Sequence, residues 1–442
     1  MAGTTLDDYT ERYAARVHGM TASEIRALFA VANRPEVVSL AGGMPYTAAL
    51  DHAHLADLGA AILGTRGAAA LQYSSGRGEL RLRELICEVM ALEAISASPE
   101  DVLVTVGSQQ ALSLLSQVFL DPGDIVLAEG PSYVGALCVF AAAQAQVIHV
   151  PMDDNGLDPA ALAVQLDQLR AQGRRAKFLY VVPNFHNPAG VTLSEQRRDE
   201  IVELAELHDV LIVEDNPYGL LSFEASPGRT LHSRGSNRVI YLGSFSKTFA
   251  PGMRVGWVLA PYAVREKLVL LQEAQILCPA MFNQQLVTAY LEQYPWKKQL
   301  KTFRTLYAAR RDAMLSALTT LMPSETSWSS PQGGFFIWLT LPPGLDSKGM
   351  LPRALANNVA YVPGVGFYAD GQGRSALRLS YCFPDPDRIV EGVGRFATTL
   401  EQEMAVQTLF SEQPPATEAR LATPLMSTVD ISGRSAPGPE VT

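Results

Sequence analysis

The chain has few of the features that mark several protein classes. Its four cysteines (Cys87, Cys138, Cys278, Cys382) are scattered over 442 residues with no CxxC spacing. That excludes a disulfide-stapled scaffold and a cysteine-rich metal site, and no metal is expected. Each cysteine lies in an apolar stretch and reads as a small core residue in a reducing compartment. No apolar run approaches the ~18–20 residues that a membrane span needs, and residues 1–16 are polar and mixed in charge, without the apolar core of a signal peptide. A soluble, cytoplasmic protein is the expectation. Positive charge is also short: 35 Lys and Arg against 45 Asp and Glu give a net charge of −10, which argues against a nucleic-acid partner. No internal repeat is evident. Beyond Ser411 there is no aromatic residue, while Pro, Ser, Thr and Glu accumulate; residues 406–442 read as a disordered tail.

Length and apolar content are ample. At 442 residues, 48% hydrophobic and 18% charged, the chain exceeds the usual single-core limit, so two domains are expected. From about residue 100, apolar runs alternate with helical patterns. Strands are expected at 102–106, 125–127, 147–150, 177–182, 210–214 and 239–242, with helices at 108–120, 132–144, 158–171 and 194–208. That alternation indicates an α/β fold with a large, mostly parallel sheet covered by helices. A helical stretch at 263–320 follows, then strands at 335–339 and 377–381 and a last helix at 385–404, which together make a smaller α+β domain. The expected division is 1–49 as an N-terminal arm and part of the small domain, 50–300 as the large domain and 301–405 as the small one. In the arm, Ser23 can cap a helix that puts Ile25, Leu28, Phe29 and Val31 on one face.

The spacing of one cluster carries chemistry. Ser244-Phe245-Ser246-Lys247 ends an apolar strand, Arg254 follows Lys247 by seven residues, and Asp215, thirty-two residues before Lys247, ends another apolar strand. A lysine amine can bond an aldehyde carbon, two hydroxyls and a guanidinium can take a phosphate, and a carboxylate can pair with a ring nitrogen. Those are the parts that a pyridoxal phosphate site requires. Each residue alone reads as a solvated loop or cap residue; the joint spacing favours the cofactor.

Other segments fit around it. Gly107-Ser108-Gln109-Gln110 follows a strand and opens a helix, so its N–H groups form an anion site or else Ser108 is a plain cap. The segment lacks the glycine pattern of a dinucleotide motif. Asn187, before Pro188, is expected to be held extended, its amide aimed into a cleft; His186 beside it reads as packed rather than catalytic. Tyr133 and Tyr218 are either core residues or cofactor contacts. Arg378, on an apolar strand, needs an anionic partner, supplied by a substrate carboxylate or by an acidic residue of the small domain. Arg26 solvates a helix face or reads a ligand. The glycine pair Gly42-Gly43 lets backbone approach a ligand closely.

Ser39-Leu40-Ala41-Gly42-Gly43, Gln72-Tyr73-Ser74, Thr105 to Gln110, Pro131-Ser132-Tyr133, Asn187-Pro188, Glu214-Asp215, Ser244 to Lys247 and Leu377 to Tyr381 together resemble the class I/II aminotransferases of the fold-type I pyridoxal 5′-phosphate (PLP) enzymes, closest to the 2-aminoadipate/α-aminoadipate aminotransferase group. The resemblance runs from about residue 25 to 400. It implies a PLP-dependent transferase fold and amino-group transfer between an α-amino acid and 2-oxoglutarate, with glutamate or 2-aminoadipate and apolar or aromatic donors accepted. It further implies that Lys247 links the cofactor, Asp215 holds its ring nitrogen, Asn187 and Tyr218 hold its phenolic oxygen, and Tyr133 stacks on the ring. Ser108, Gln109, Ser244, Ser246 and Arg254 would bind phosphate, joined by Tyr73 from the other subunit of a homodimer. Arg378 would bind the α-carboxylate, with Asn187 beside it and the Gly43 loop closing over it, and Arg26 a distal carboxylate. The same lysine and aspartate would serve a lyase or decarboxylase; a transcription regulator with an aminotransferase-like domain would need a basic DNA-binding module before Gly42. Two stretches depart from the family pattern: Tyr46 to Asp51 replaces the usual Leu-Phe-Pro, and His186 and Ala189 stand where Gln and Thr are frequent.

Overall fold

A computed structural model describes residues 9–18, 34–223 and 228–411. The first strand, β1 (Val38–Ser39), belongs to the smaller part of the molecule. The next eight are β2 (Val102–Thr105), β3 (Ile125–Gly130), β4 (Gln146–Asp153), β5 (Gly156–Leu157), β6 (Ala176–Val181), β7 (Leu211–Asp215), β8 (Val239–Ser244) and β9 (Gly256–Leu259). They form one sheet in the order β2-β9-β8-β7-β6-β3-β4-β5. From β8 through β4 neighbouring strands run parallel, while β9 is antiparallel to both β8 and β2. All six residues of β8 and all four of β2 are buried. Such strands read as continuous Val/Ile/Leu runs because helices cover both faces. One apolar cluster, with Val126, Val213 and Leu242, fills one side of the sheet; a second, with Leu127, Leu162, Ile201 and Ile212, fills the other.

The expected strands and crossover helices are present within a few residues. The sequence did not reveal β9: it is only four residues long and follows β8 without a crossover helix, so no periodicity marks it. Helix starts follow local chemistry. Asp158 and Ser194 accept from backbone N–H groups at the starts of Pro159–Ala171 and Glu195–Leu207, each cap contributing about 1 kcal/mol.

The expected helical stretch at 263–320 is three helices, Tyr262–Ile276, Met281–Gln293 and Trp296–Leu321. Pro279 and Pro295 stand in the two breaks, where a helix cannot run through. A four-stranded antiparallel sheet follows, β10 (Ser327–Trp328), β11 (Phe336–Thr340), β13 (Val362–Pro363) and β14 (Ala376–Ser380), in the order β10-β11-β14-β13. Between its strands lie the helix Ser347–Ala356, capped by Asp346, and β12 (Val359–Ala360), which pairs in parallel with β1. That pairing draws residues 37–44 to the small sheet. The last helix, Pro386–Ser411, is longer than the expected 385–404 and packs along Trp296–Leu321.

The cysteines are all free, but only Cys382 is buried and Cys138 is exposed, because Cys138, on the helix Val134–Ala142, borders an open cavity. The arm helix begun by Ser23, including Arg26, lies outside the described residues. Among the described residues no helix is long and apolar enough to cross a membrane.

Candidate active site

The carboxyl ends of β6, β7 and β8 and the start of the helix Ser108–Phe119 open onto a cavity of about 480 Å³ between the two sheets. Ligands of open α/β sheets bind at this edge, because loops there leave strand ends in different directions. Ser108, Gln109, Tyr133, Asn187, Asp215 and Tyr218 line it, as do Ser244, Ser246, Lys247, Arg254, Gly43 and Arg378. Tyr73 does not; it is 75% exposed on the outer surface of the chain.

At the sheet end, the helix Ser108–Phe119 begins after Gly107, whose φ is +79°, and no side chain caps it. Ser108 is therefore the first helical residue rather than the cap, and the helix start keeps free N–H donors at its positive end. A Cβ at Gly107 would lie 2.7 Å from Arg254 Nη2, and one at Gly256 would lie 2.8 Å from Ser108 N. Two glycines thus let the guanidinium, the helix start and β9 crowd one spot. Arg254 donates only to backbone carbonyls, at 2.9 Å to Val106 and 3.5 Å to Pro251, so its charge has no carboxylate partner among the described residues. Ser244 Oγ donates to Ser246 Oγ at 2.8 Å and accepts from Ser246 N at 3.0 Å. Cation, paired hydroxyls and helix dipole together make an anion cradle.

Asp215 lies deeper. Tyr180 Oη donates to its Oδ2 at 2.9 Å, while Oδ1 is buried without a partner. Burial pushes its carboxyl up to about 7, against the pull of the Tyr180 bond and of Lys247. A buried carboxylate with one empty acceptor oxygen calls for a cationic N–H donor. Lys247 Nζ donates to Gly43 O at 3.0 Å. Its burial, aided by Arg378 and Arg254, brings the amine down to about 8 despite the opposing Cys382 and Asp215.

Tyr133 Oη donates to Gln109 Oε1 at 3.3 Å, and Gln109 Nε2 donates to Gly135 O at 2.8 Å. The Gln109 side chain therefore steadies Tyr133, leaving only its backbone N–H for the anion cradle. The ring of Tyr218 is held edge-on by Phe335 and Phe336.

At the opposite end, Arg378 is buried on β14. Nη1 donates to Asn187 Oδ1 at 2.9 Å and Nη2 to Ala41 O at 2.7 Å, while Nε is buried without a partner. Its guanidinium lies 4.1 Å from the Phe336 ring centroid and 5.1 Å from that of Phe367. Burial lowers its pKa to about 10. No acidic side chain among the described residues pairs with it, so the alternative of an ion pair within the small domain does not hold. Because Oδ1 of Asn187 is taken by Arg378, its Nδ2 is the donor left over. The Asn187-Pro188 bond is cis.

Sequence reasoning missed Tyr180 and Phe336. Tyr180 had a signal: a tyrosine within an otherwise apolar strand run needs a partner for its hydroxyl. Phe336 had none, being one aromatic in an aromatic-rich strand.

The residues fit a phosphorylated pyridine aldehyde: the buried Oδ1 of Asp215, the glycine-floored anion cradle and an accessible lysine amine face one space. The family model for class I and II aminotransferases matches residues 36–396. The chain belongs to that family. It is a PLP-dependent aminotransferase. It is 40% identical over 400 residues to aromatic-amino-acid aminotransferase 1 of Thermococcus litoralis, covering 90% of this chain and 96% of that one. With 2-aminoadipate transaminase of Thermus thermophilus it shares 37% over 402 residues, 90% of this chain and 98% of that one. The crystal structure of Pyrococcus horikoshii kynurenine aminotransferase superposes with a TM-score of 0.86 at 39% identity, covering 90% of this chain and 98% of that one.

Proposed function

We propose that this aminotransferase moves an amino group from an α-amino acid to 2-oxoglutarate, taking glutamate or 2-aminoadipate together with apolar or aromatic donors. The observation that carries the assignment of residues is the trio of polar groups facing one cavity with capacity to spare: the empty Oδ1 of Asp215, the Lys247 amine and the Arg378 guanidinium without an acid. When bound, PLP would supply an electron-accepting ring. Asp215 keeps the ring nitrogen protonated, an interaction worth most when negative charge develops at Cα. Asn187 Nδ2 and Tyr218 donate toward the phenolic oxygen, and Tyr133 stacks on the ring. Ser244, Ser246, Arg254, Ser108 and the Gln109 backbone N–H hold the phosphate. Lys247, its amine brought down to about 8 by burial, would take the substrate Cα proton and hold it within the cavity. Arg378 grips the substrate α-carboxylate, and the Gly43 loop, fixed by Ala41 O on Arg378, lies over it.

We also propose a homodimer in which Tyr73 completes the partner's phosphate site. The exposure of Leu71 at 76% and Tyr73 at 75% supports a surface that a second copy covers. We propose the division into 50–300 and 301–405, with 1–49 joined to the latter; the separate eight-stranded and four-stranded sheets and the pairing of β1 with β12 support it. A cytoplasmic place in the biosynthetic metabolism of amino acids suits the free cysteines.

Donor range is tested by an amino-acid panel against 2-oxoglutarate, run on the parent and on Arg26→Ala. If Arg26 reads a distal carboxylate, KM for glutamate and 2-aminoadipate rises about 10- to 100-fold in the variant, and apolar donors change little. Equal losses for both classes remove Arg26 from substrate recognition. Release of ammonia and an oxo acid without acceptor would favour elimination chemistry instead.

A further inference from the structure

Beneath Asn187 lies a buried pair that the reaction itself does not use. Glu129 is the penultimate residue of β3 and His186 precedes Asn187; each is 1% exposed. His186 Nε2 lies 3.0 Å from Glu129 Oε2. His186 Nδ1 accepts from Ala189 N at 3.2 Å, so Nε2 is the nitrogen left to carry hydrogen. That N–H is not aimed well enough at the carboxylate to count as a hydrogen bond, so the contact is one of close packing more than of direction. Glu129 Oε2 also accepts from Val182 N at 2.7 Å. Among the described residues, His186 is the one cation-forming side chain in ion-pair reach of this carboxylate.

The same histidine closes the turn that presents Asn187. His186 N donates to Val191 O at 2.8 Å and Gly190 N donates to His186 O at 2.7 Å. Its backbone and ring therefore hold both sides of the loop, while its far edge is seated on the end of β3. Asn187, in the middle, gives Oδ1 to Arg378 and keeps Nδ2 for a ligand. Any shift of this amide changes two contacts at once, one toward the substrate carboxylate and one toward the cofactor.

We propose that His186 and Glu129 are positioning residues that fix the Asn187 amide, and through it couple the carboxylate-binding Arg378 to the cofactor's phenolic oxygen. The inference rests on the role given to Asn187 above. It has a signature that a purely stabilising pair lacks. A donor to the phenolic oxygen draws its lone pair away from the proton held on the Lys247 nitrogen, so losing that donor makes the proton harder to remove.

The test uses full-length, cofactor-loaded His186→Ala, His186→Gln and Asn187→Ala, with two readouts besides turnover. One is the pH midpoint of the change in the visible cofactor band. The other is the dissociation constant of α-methylglutamate, which lacks the Cα hydrogen and therefore stops before proton removal. In His186→Ala the midpoint should rise by about 0.3–1 pH unit and binding should weaken about 3- to 10-fold, the two moving together, as expected when hydrogen bonds of ordinary strength are lost. His186→Gln, whose amide can still reach Glu129, should stay within about twofold of the parent. If Asn187→Ala moves both readouts and a folded His186→Ala moves neither, the proposal is wrong. If Asn187→Ala itself moves neither, the role of Asn187 falls and the proposal falls with it. Should His186→Ala fail to fold, Glu129→Gln, which keeps an oxygen for Val182 N, is read the same way: unchanged midpoint and binding overturn the proposal.

Discussion

At the cofactor end of the cavity, Asp215, Ser244 and Ser108 leave neighbouring elements of one sheet; at the carboxylate end, Arg378, Asn187 and Ala41 converge from segments up to 337 residues apart. The first end is fixed by β6, β7 and β8, buried on both faces and held in parallel register. The second depends on how the small sheet sits against the large one, through β1 on β12 and the Phe336 ring over Arg378. Their electrostatics differ accordingly. The sheet end concentrates an anion cradle and one buried acid, whereas the other end buries a cation that no acid among the described residues pairs with. A rigid platform suits the group that stays bound, and a grip spanning two sheets suits the one that comes and goes.

If that contrast is right, damage at the sheet end should strike chemistry and damage at the other end should strike binding. The largest effect is expected for Asp215→Asn, which should retain cofactor but lose several orders of magnitude in kcat, each tenfold corresponding to about 1.4 kcal/mol of lost stabilisation. In the cofactor-free protein the sign reverses. Burial holds the carboxyl near 7 against an ordinary 3.8, so the folded state keeps a proton that the unfolded chain has lost. Stability then falls as pH rises from about 4 to about 7. Cofactor-free Asp215→Asn should therefore unfold at higher temperature than the parent at pH 8, with the difference vanishing toward pH 4; equal melting at both pH values would show that Asp215 is not held in this way. Next comes Arg378→Lys, which removes a planar fork from a buried site. KM should rise about 10- to 100-fold for every donor with a smaller change in kcat, and a selective loss for one donor class would break the contrast. The smallest effect is expected for Tyr73→Phe, a single hydroxyl contributed across the proposed dimer. Cofactor dissociation should quicken by less than about tenfold, and no change would remove Tyr73 from the phosphate site.

The same contrast explains what the sequence disclosed. Asp215, Ser244, Ser246 and Lys247 follow apolar runs directly, so strand patterning and residue type sufficed to bring them together. Arg378 stood out as a charge on an apolar strand, but only the family resemblance set Asn187 beside it, and nothing local links it to Ala41. The absence of an acid beside it emerges only from tertiary packing. The antiparallel β9 escaped because four apolar residues carry no period. Cys138 was expected in the core because its helix is apolar all round, and composition cannot say which residue borders the cavity. Gln109 was expected in the phosphate site, yet its side chain turns to Tyr133 and Gly135, a choice made between segments rather than within one.

The central claim is that the amine at residue 247 is the one that bonds the cofactor in this cavity. Borohydride reduction of the loaded enzyme, followed by peptide mass mapping, tests it most directly. A single phosphopyridoxyl group on Lys247, and none when Lys247→Ala is treated in the same way, is the expected result. A label on another lysine, or a reducible link that survives in Lys247→Ala, would contradict it.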